Sequence, residues 1–262
     1  MKILVIFGSD SDKEVYKDIC KELSGLDVEL RIISAHKTPT KLEEVSFDSY
    51  AVIIAGAGLA AHLPGVIAAK TIRPVIGVPC KQNYEGLDAL LSIIQMPPGI
   101  PVLGVGVNQG KEAGINARRL MKKYGQVTII GEDKKLIEKS SSILNDFGIS
   151  FTTISSIDML SVNLVFASLD DPIQKKDALV IYCPVVEKND DTAEASINIL
   201  RRSLTGLWVG TNNAENAALA CVQTMNGEGG YTKKLLDYRK KKAQKVIDAD
   251  EGARTYDHRK HH

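Results

Sequence analysis

Short apolar runs that alternate with stretches of helical spacing leave this chain few architectures. Lys2 to Phe7 has the length of a buried parallel strand and ends in a turn cluster. Val15, Tyr16, Ile19, Cys20 and Leu23 then recur at helical spacing. Further strands are predicted at Val28–Ile33, Tyr50–Ala55, Pro74–Val78 and Pro101–Val107, with helices at Pro64–Lys70, Leu87–Ile94 and Lys111–Lys123. This alternation implies a parallel sheet covered on both faces, a three-layer, flavodoxin-like α/β domain.

The pattern then restarts. Val127-Thr128-Ile129-Ile130-Gly131 echoes Leu4-Val5-Ile6-Phe7-Gly8, and Ile154-Ser155-Ser156 echoes Ile33-Ser34-Ala35. Asp177 to Tyr182 reads like Ser49 to Ile54, and Trp208-Val209-Gly210-Thr211-Asn212 like Gly104-Val105-Gly106-Val107-Asn108. The last echo arrives early, as if one strand-helix unit had been lost. The expectation is a tandem duplication, with a first domain over 1–124 and a second over 125–262. The second alone continues into a long charged helix, Thr232 to Val246, and a tail.

Composition removes several classes of function. Lys and Arg number 33 against 32 Asp and Glu, so the chain lacks the positive excess of a non-specific nucleic-acid binder. The Arg239-Lys240-Lys241-Lys242 run is read as a solvated helix face. No apolar run approaches the ~20 residues of a membrane span, and the apolar N-terminal run is too short for a signal peptide. Cys20, Cys80, Cys183 and Cys221 are far apart, with no CxxC. They are expected to be reduced core residues of a cytoplasmic protein, with no metal site.

The polar residues gather where strands end. Gly8-Ser9-Asp10-Ser11-Asp12 follows the first strand with the glycine, hydroxyls and helix start that hold an anion, or a simple turn and N-cap. Asp12 suits a sugar hydroxyl or a helix cap. The segment is neither a P-loop nor a GxGxxG fingerprint. At the end of the second strand, Ser34-Ala35-His36-Lys37-Thr38-Pro39 offers His36 as a proton carrier and Lys37 as a charge for phosphate. After the third, Ala55-Gly56-Ala57-Gly58-Leu59-Ala60-Ala61-His62-Leu63-Pro64-Gly65 lets backbone approach a ligand closely. There His62 is either a second polar group of the site or a buried, satisfied histidine. The other histidines, His258, His261 and His262, belong to the tail. A rigid loop at Gln95-Met96-Pro97-Pro98-Gly99 packs against or covers the crevice.

Together GSDSD at 8–12, SAHKTP at 34–39, AGAGLAAHLPGVIAAKT at 55–71, PVIGVP at 74–79 and GLDALLSIIQMPPGIPV at 86–102 resemble the catalytic-subunit family of phosphoribosylaminoimidazole carboxylase (PurE). The GLAAHLPG stretch is similar to its class I branch, the N5-carboxyaminoimidazole ribonucleotide mutases of purine biosynthesis. Lys37 departs from that branch, which usually carries arginine there. The resemblance implies that Ser9, Ser11, Ser34 and Lys37 hold the 5′-phosphate and Asp12 the ribose. It implies that Gly58, Leu59, Ala61, His62 and Leu63 bind the substrate, and that Ala60, Ala61, His62 and Leu63 shape a pocket retaining carbon dioxide. It also implies that His36 shuttles the proton, and that no cofactor or metal is needed.

In the second half, Gly131-Glu132-Asp133-Lys134 replaces the serine loop and Ile157 stands at the histidine position. That half is expected to be catalytically silent and to serve assembly: the resemblance implies an octamer of single domains, so a fused pair would form a homo-tetramer, a pseudo-octamer with four sites for a small ribonucleotide substrate. Direct carboxylation of aminoimidazole ribonucleotide by carbon dioxide is the alternative enzyme. A non-catalytic nucleotide-binding module is the alternative from another class.

Overall fold

The computed structural model describes residues 2–170, 173 and 176–254. The tail histidines His258, His261 and His262 lie outside the described residues. In the first half the elements are β1 (Ile3–Phe7), α1 (Lys13–Glu22), β2 (Val28–Ile32), α2 (Pro39–Glu43), β3 (Val52–Gly58), α3 (His62–Lys70), β4 (Val75–Cys80), α4 (Leu87–Ile94), β5 (Leu103–Gly104) and α5 (Gly110–Leu120). The second half contains β6 (Val127–Ile130), α6 (Lys134–Phe147), β7 (Phe151–Thr153), β8 (Val162–Ser168), β9 (Val180–Val185), α7 (Thr192–Arg202), β10 (Leu207–Trp208), α8 (Ala214–Met225) and α9 (Thr232–Arg254).

All the strands join one sheet, in the order β2-β1-β3-β4-β5-β10-β9-β8-β6-β7. Within each half every pair is parallel; only β5 and β10 meet antiparallel, with Gly104 opposite Trp208. The first five strands keep the flavodoxin-like order. The fold is therefore α/β with a mostly parallel sheet. Alternation along β1 shows why both faces are covered. Ile3, Val5 and Phe7 enter one apolar cluster with Tyr16 and Ile19 of α1, whereas Leu4 and Ile6 enter another with Leu63 and Ile67 of α3. Each cluster continues into the second half.

The structure departs from the sequence-based expectations in four places. Asp177–Tyr182 echoes the third strand in sequence, but its apolar part lies in β9, next to β8, in the place β4 holds in the first half. Backbone bonds show this correspondence: Asn108 N donates to Pro79 O (2.8 Å) and Asn212 N to Pro184 O (2.9 Å). No strand is missing among the described residues either, since each half contributes five. Among the described residues it is the helices between β7 and β8 and between β8 and β9 that are absent. Finally, the expected strand over 101–107 is regular only at Leu103–Gly104, and α9 continues past Val246 to Arg254.

The halves are bonded by more than the short β5–β10 pair. Buried Glu112 on α5 accepts from Gly206 N (2.9 Å) and from Asn116 Nδ2 (2.9 Å), with Thr205 Oγ1 at 3.3 Å. Truncating it leaves a buried N–H without its acceptor. Glu112→Ala is expected to cost about 2 kcal/mol of unfolding free energy, measured by urea denaturation. A change below about 0.5 kcal/mol would remove Glu112 from the join.

Candidate active site

Since β1 lies between β2 and β3 and all three run parallel, the loops after them open on one edge of the sheet. After β1, Gly8 N donates to Gly56 O (3.1 Å), tying the first loop to the third strand. Ser9 caps a single 3-10 turn, Asp10–Asp12, that leads into α1. Its Oγ accepts from Ser11 N at 3.2 Å and lies 2.8 Å from Ser11 Oγ. Asp10 turns aside to accept from the Tyr16 hydroxyl (2.5 Å), so two exposed serine hydroxyls stand at the rim.

Asp12 is buried beneath them, and its carboxylate accepts from Ser11 and from the Cys80 thiol at the end of β4. Burial, outweighing those bonds, raises its pKa above the ordinary carboxylate value. Burial chiefly, with the neighbouring Asp12 charge, also pushes the Cys80 thiol up. Cys80 is a free, buried cysteine, and its place under Asp12 carries no signal in the sequence.

The turn after β2 is closed by hydroxyls. Thr38 Oγ1 accepts from Ser34 N (3.0 Å) and donates to Ser34 O (3.1 Å), while Ser34 Oγ accepts from Lys37 N (3.2 Å). Pro39 then starts α2, where its missing N–H costs nothing. Ser34 and Thr38 therefore brace a loop on which His36 and Lys37 are exposed. Thr38 is absent from the residues expected to matter, although a Ser and a Thr four residues apart just before a proline signal such a turn.

Beyond β3 the backbone bends sharply. Gly58 admits the close approach of Gln82: a Cβ there would lie 2.7 Å from Gln82 Cγ and 3.1 Å from Cys80 O. Leu59 has φ of 56° and is 53% exposed; Ala60 is exposed as well. His62 opens α3 and reaches back, placing its Nδ1 2.8 Å from His36 Nε2, the rings edge to face. One proton lies between the rings, one nitrogen donating and the other accepting. His62 is exposed, not buried. Ala61 and Leu63 face the other way and pack in the core beneath α3.

The same edge of the second half differs chemically. Asp133 caps α6 by accepting from Leu136 N (3.0 Å), and Asp191 caps α7 by accepting from Ala193 N (2.8 Å) and Glu194 N (3.2 Å). Carboxylates therefore occupy the backbone donors that an anion would need. There a cleft of about 1600 Å³ opens between Glu132, Ile157, Asp170 and Tyr182. The Gln95–Gly99 loop of the first half turns toward Thr211, Asn213 and Asn216 of the second. Among the described residues no group of three or more His, Cys, Asp or Glu is placed to hold a metal ion, and no helix is long and apolar enough to cross a membrane.

Residues 2–128 match the AIR carboxylase family. The N5-carboxyaminoimidazole ribonucleotide mutase of Pyrococcus abyssi is 50% identical over 134 residues, 48% of this chain and 77% of that protein. The enzyme of the same name from Methanocaldococcus jannaschii is 50% identical over 123 residues, 45% of this chain and 78% of that one. The phosphoribosylaminoimidazole carboxylase of Candida glabrata is 48% identical over 124 residues, 45% of this chain and 22% of that longer protein. With half of the aligned positions identical across three-quarters of such relatives, and with the matched stretch carrying Ser9, Ser11, Ser34, His36 and His62, this chain belongs to the AIR carboxylase family.

Proposed function

We propose that residues 1–124 form an N5-carboxyaminoimidazole ribonucleotide mutase, yielding 4-carboxy-5-aminoimidazole ribonucleotide. The observation that carries this reading is the 2.8 Å contact between His36 and His62, on the same sheet edge as a serine-rich anion loop. Several relatives also bear the mutase name. In the reaction the carbamate N–C bond breaks, releasing carbon dioxide, and the exocyclic nitrogen takes a proton. Ring carbon C4 then attacks the retained carbon dioxide, forming a C–C bond, and loses its proton. His36 carries that proton, and His62 fixes the tautomer of its ring.

Ser9, Ser11, Ser34 and Lys37 hold the phosphate and Asp12 the ribose, with Gly58, Leu59, Ala60 and His62 as the wall and Ala61 and Leu63 in the core behind it. The turn around Asp10–Asp12 and the start of α1 support this, because hydroxyls and helix-start amides there favour an anion. Direct carboxylation by carbon dioxide is the second reading, favoured by Lys37 and by the carboxylase name of the Candida relative. Feeding the purified chain the synthetic carbamate, or aminoimidazole ribonucleotide with bicarbonate, separates the two. Turnover of the carbamate without free bicarbonate is expected. His36→Asn is expected to lower kcat at least about 10³-fold, and unchanged turnover in that variant overturns the role of His36.

The second half is read as a degenerate copy of the first. The sheet order that reads alike from both ends supports duplication, and the carboxylate caps support catalytic silence. As a fused pair the chain would assemble as a homo-tetramer equivalent to an octamer of single domains. Light scattering is expected to give the mass of a tetramer, and a stable monomer contradicts this assembly.

Asp12 supplies a prediction of its own. Its folded pKa is raised above the unfolded value, so its contribution is fully present below that unfolded value and is lost as pH rises through the folded one. At neutral pH the buried carboxylate therefore opposes folding. Asp12→Asn is expected to raise the Tm at pH 7, with the gap from wild type closing below about pH 4, while KM rises at least about tenfold. A lower Tm at pH 7 would show that the charge is compensated in the fold.

A further inference from the structure

The QMPPG loop, Gln95 to Gly99, contains two prolines and so has few amides with which to satisfy itself. Gln95 N and Met96 N bond within the first half, to Leu91 O (3.0 Å) and Ile94 O (2.8 Å), whereas Met96 O, Pro97 O and Gly99 N are met from the other half of the chain. Asn216, 1% exposed on α8, accepts from Gly99 N through Oδ1 (2.8 Å). Its Nδ2 donates to Met96 O (3.2 Å) and Pro97 O (3.0 Å). Both amide hydrogens and the carbonyl are thus engaged, all on one loop. Asn213 adds a bond from its Nδ2 to Met96 O (3.2 Å), and its Oδ1 accepts from Asn216 N (3.0 Å). Gln95 Nε2 donates to Thr211 Oγ1 (3.1 Å).

What the clamp holds in place is Met96. A Cβ on Gly65 would lie 3.1 Å from Met96 Sδ and 3.3 Å from its Cε, so the thioether rests directly on α3 at that glycine. Gly65 is three residues after His62, on the same face of the helix one turn below it. The contact chain runs from Asn216 through the loop and Met96 to α3, and from His62 to His36.

We propose that Asn216 is a positioning residue for the active site of the first half, so that the half without catalytic groups completes the site by fixing the wall that carries His62. The inference rests on the mutase reading and extends it to a residue outside the matched domain. Loosening the wall displaces His62 and opens the pocket, so carbon dioxide escapes before C4 captures it.

The test compares wild type, Asn216→Ala, Met96→Ala and, as a control, Glu112→Ala, which loosens the join without touching the loop. With the carbamate as substrate, aminoimidazole ribonucleotide released and carboxylated product formed are both measured. The two imidazoles are followed by 15N NMR. Both Asn216→Ala and Met96→Ala are expected to lower kcat about tenfold with KM within about twofold, to raise the released fraction and to shift the His36 and His62 resonances. Glu112→Ala should lose stability with wild-type partition and spectra. If Asn216→Ala does not fold, Met96→Ala decides the matter. Wild-type partition and imidazole spectra in the folded Asn216 or Met96 variant overturn the proposal. If the wild-type chain leaves the carbamate unchanged, the mutase reading falls, and the imidazole spectra then decide the positioning role alone, shifted for it and unshifted against it.

Discussion

Parallel pairing of β1 with both β2 and β3 is the constraint on which everything else depends. It places three strand ends side by side, with the register Phe7 to Ile32 and Phe7 to Gly56 aligning them. A single β-hairpin among these strands would send one loop to the opposite edge and separate His36 from His62. The crossover helices α1 and α2 make the parallel arrangement possible, and the apolar alternation along β1 binds a helix layer to each face. The site is thus a consequence of topology before it is a consequence of any one side chain.

The antiparallel meeting of β5 and β10 is the second determinant. It is the shortest pairing in the sheet, yet it aligns two five-stranded halves into one layer whose apolar clusters run through both. A two-residue strand pair contributes little by itself. The buried bonds around Glu112 and Asn216 supply what the ladder lacks, because each satisfies backbone groups of the opposite half in a place water does not reach. The join is therefore polar as well as apolar, and its polar part fixes geometry that apolar contact leaves free.

Much of this is legible from residues alone. The strands of the first half follow from apolar runs closed by turn residues, and the crevice follows from hydroxyls and histidines at their ends. Thr38 escapes such a reading because its role depends on a side chain closing a turn. Cys80 escapes it because burial under Asp12 is a tertiary fact. The β9 mismatch arises from similarity between buried parallel strands, whose apolar runs carry little identity; the bonds from Asn108 and Asn212 to Pro79 and Pro184 resolve it. The β5 boundary differs for a related reason: Pro101 and the glycines that follow permit an extended chain without demanding a ladder. Asn216 is invisible in principle, since nothing local distinguishes a loop-clamping asparagine from a helix cap.

Carbon dioxide, as the transient product of the proposed reaction, gives physical weight to the join. It carries no net charge and offers weak acceptors, so no arrangement of ion pairs can retain it. Retention must come from walls that stay closed for the time C4 needs to capture it. A wall built on the first turn of α3 is poorly suited to that task alone, since helix ends fray and Gly65 adds no side chain of its own. Met96 fills that gap, and the two prolines beside it take two backbone donors from the loop. Asn216 adds three bonds to it from a nearly inaccessible position in the other half. A second half with different chemistry at this edge can thus still bear on the site of the first through these bonds.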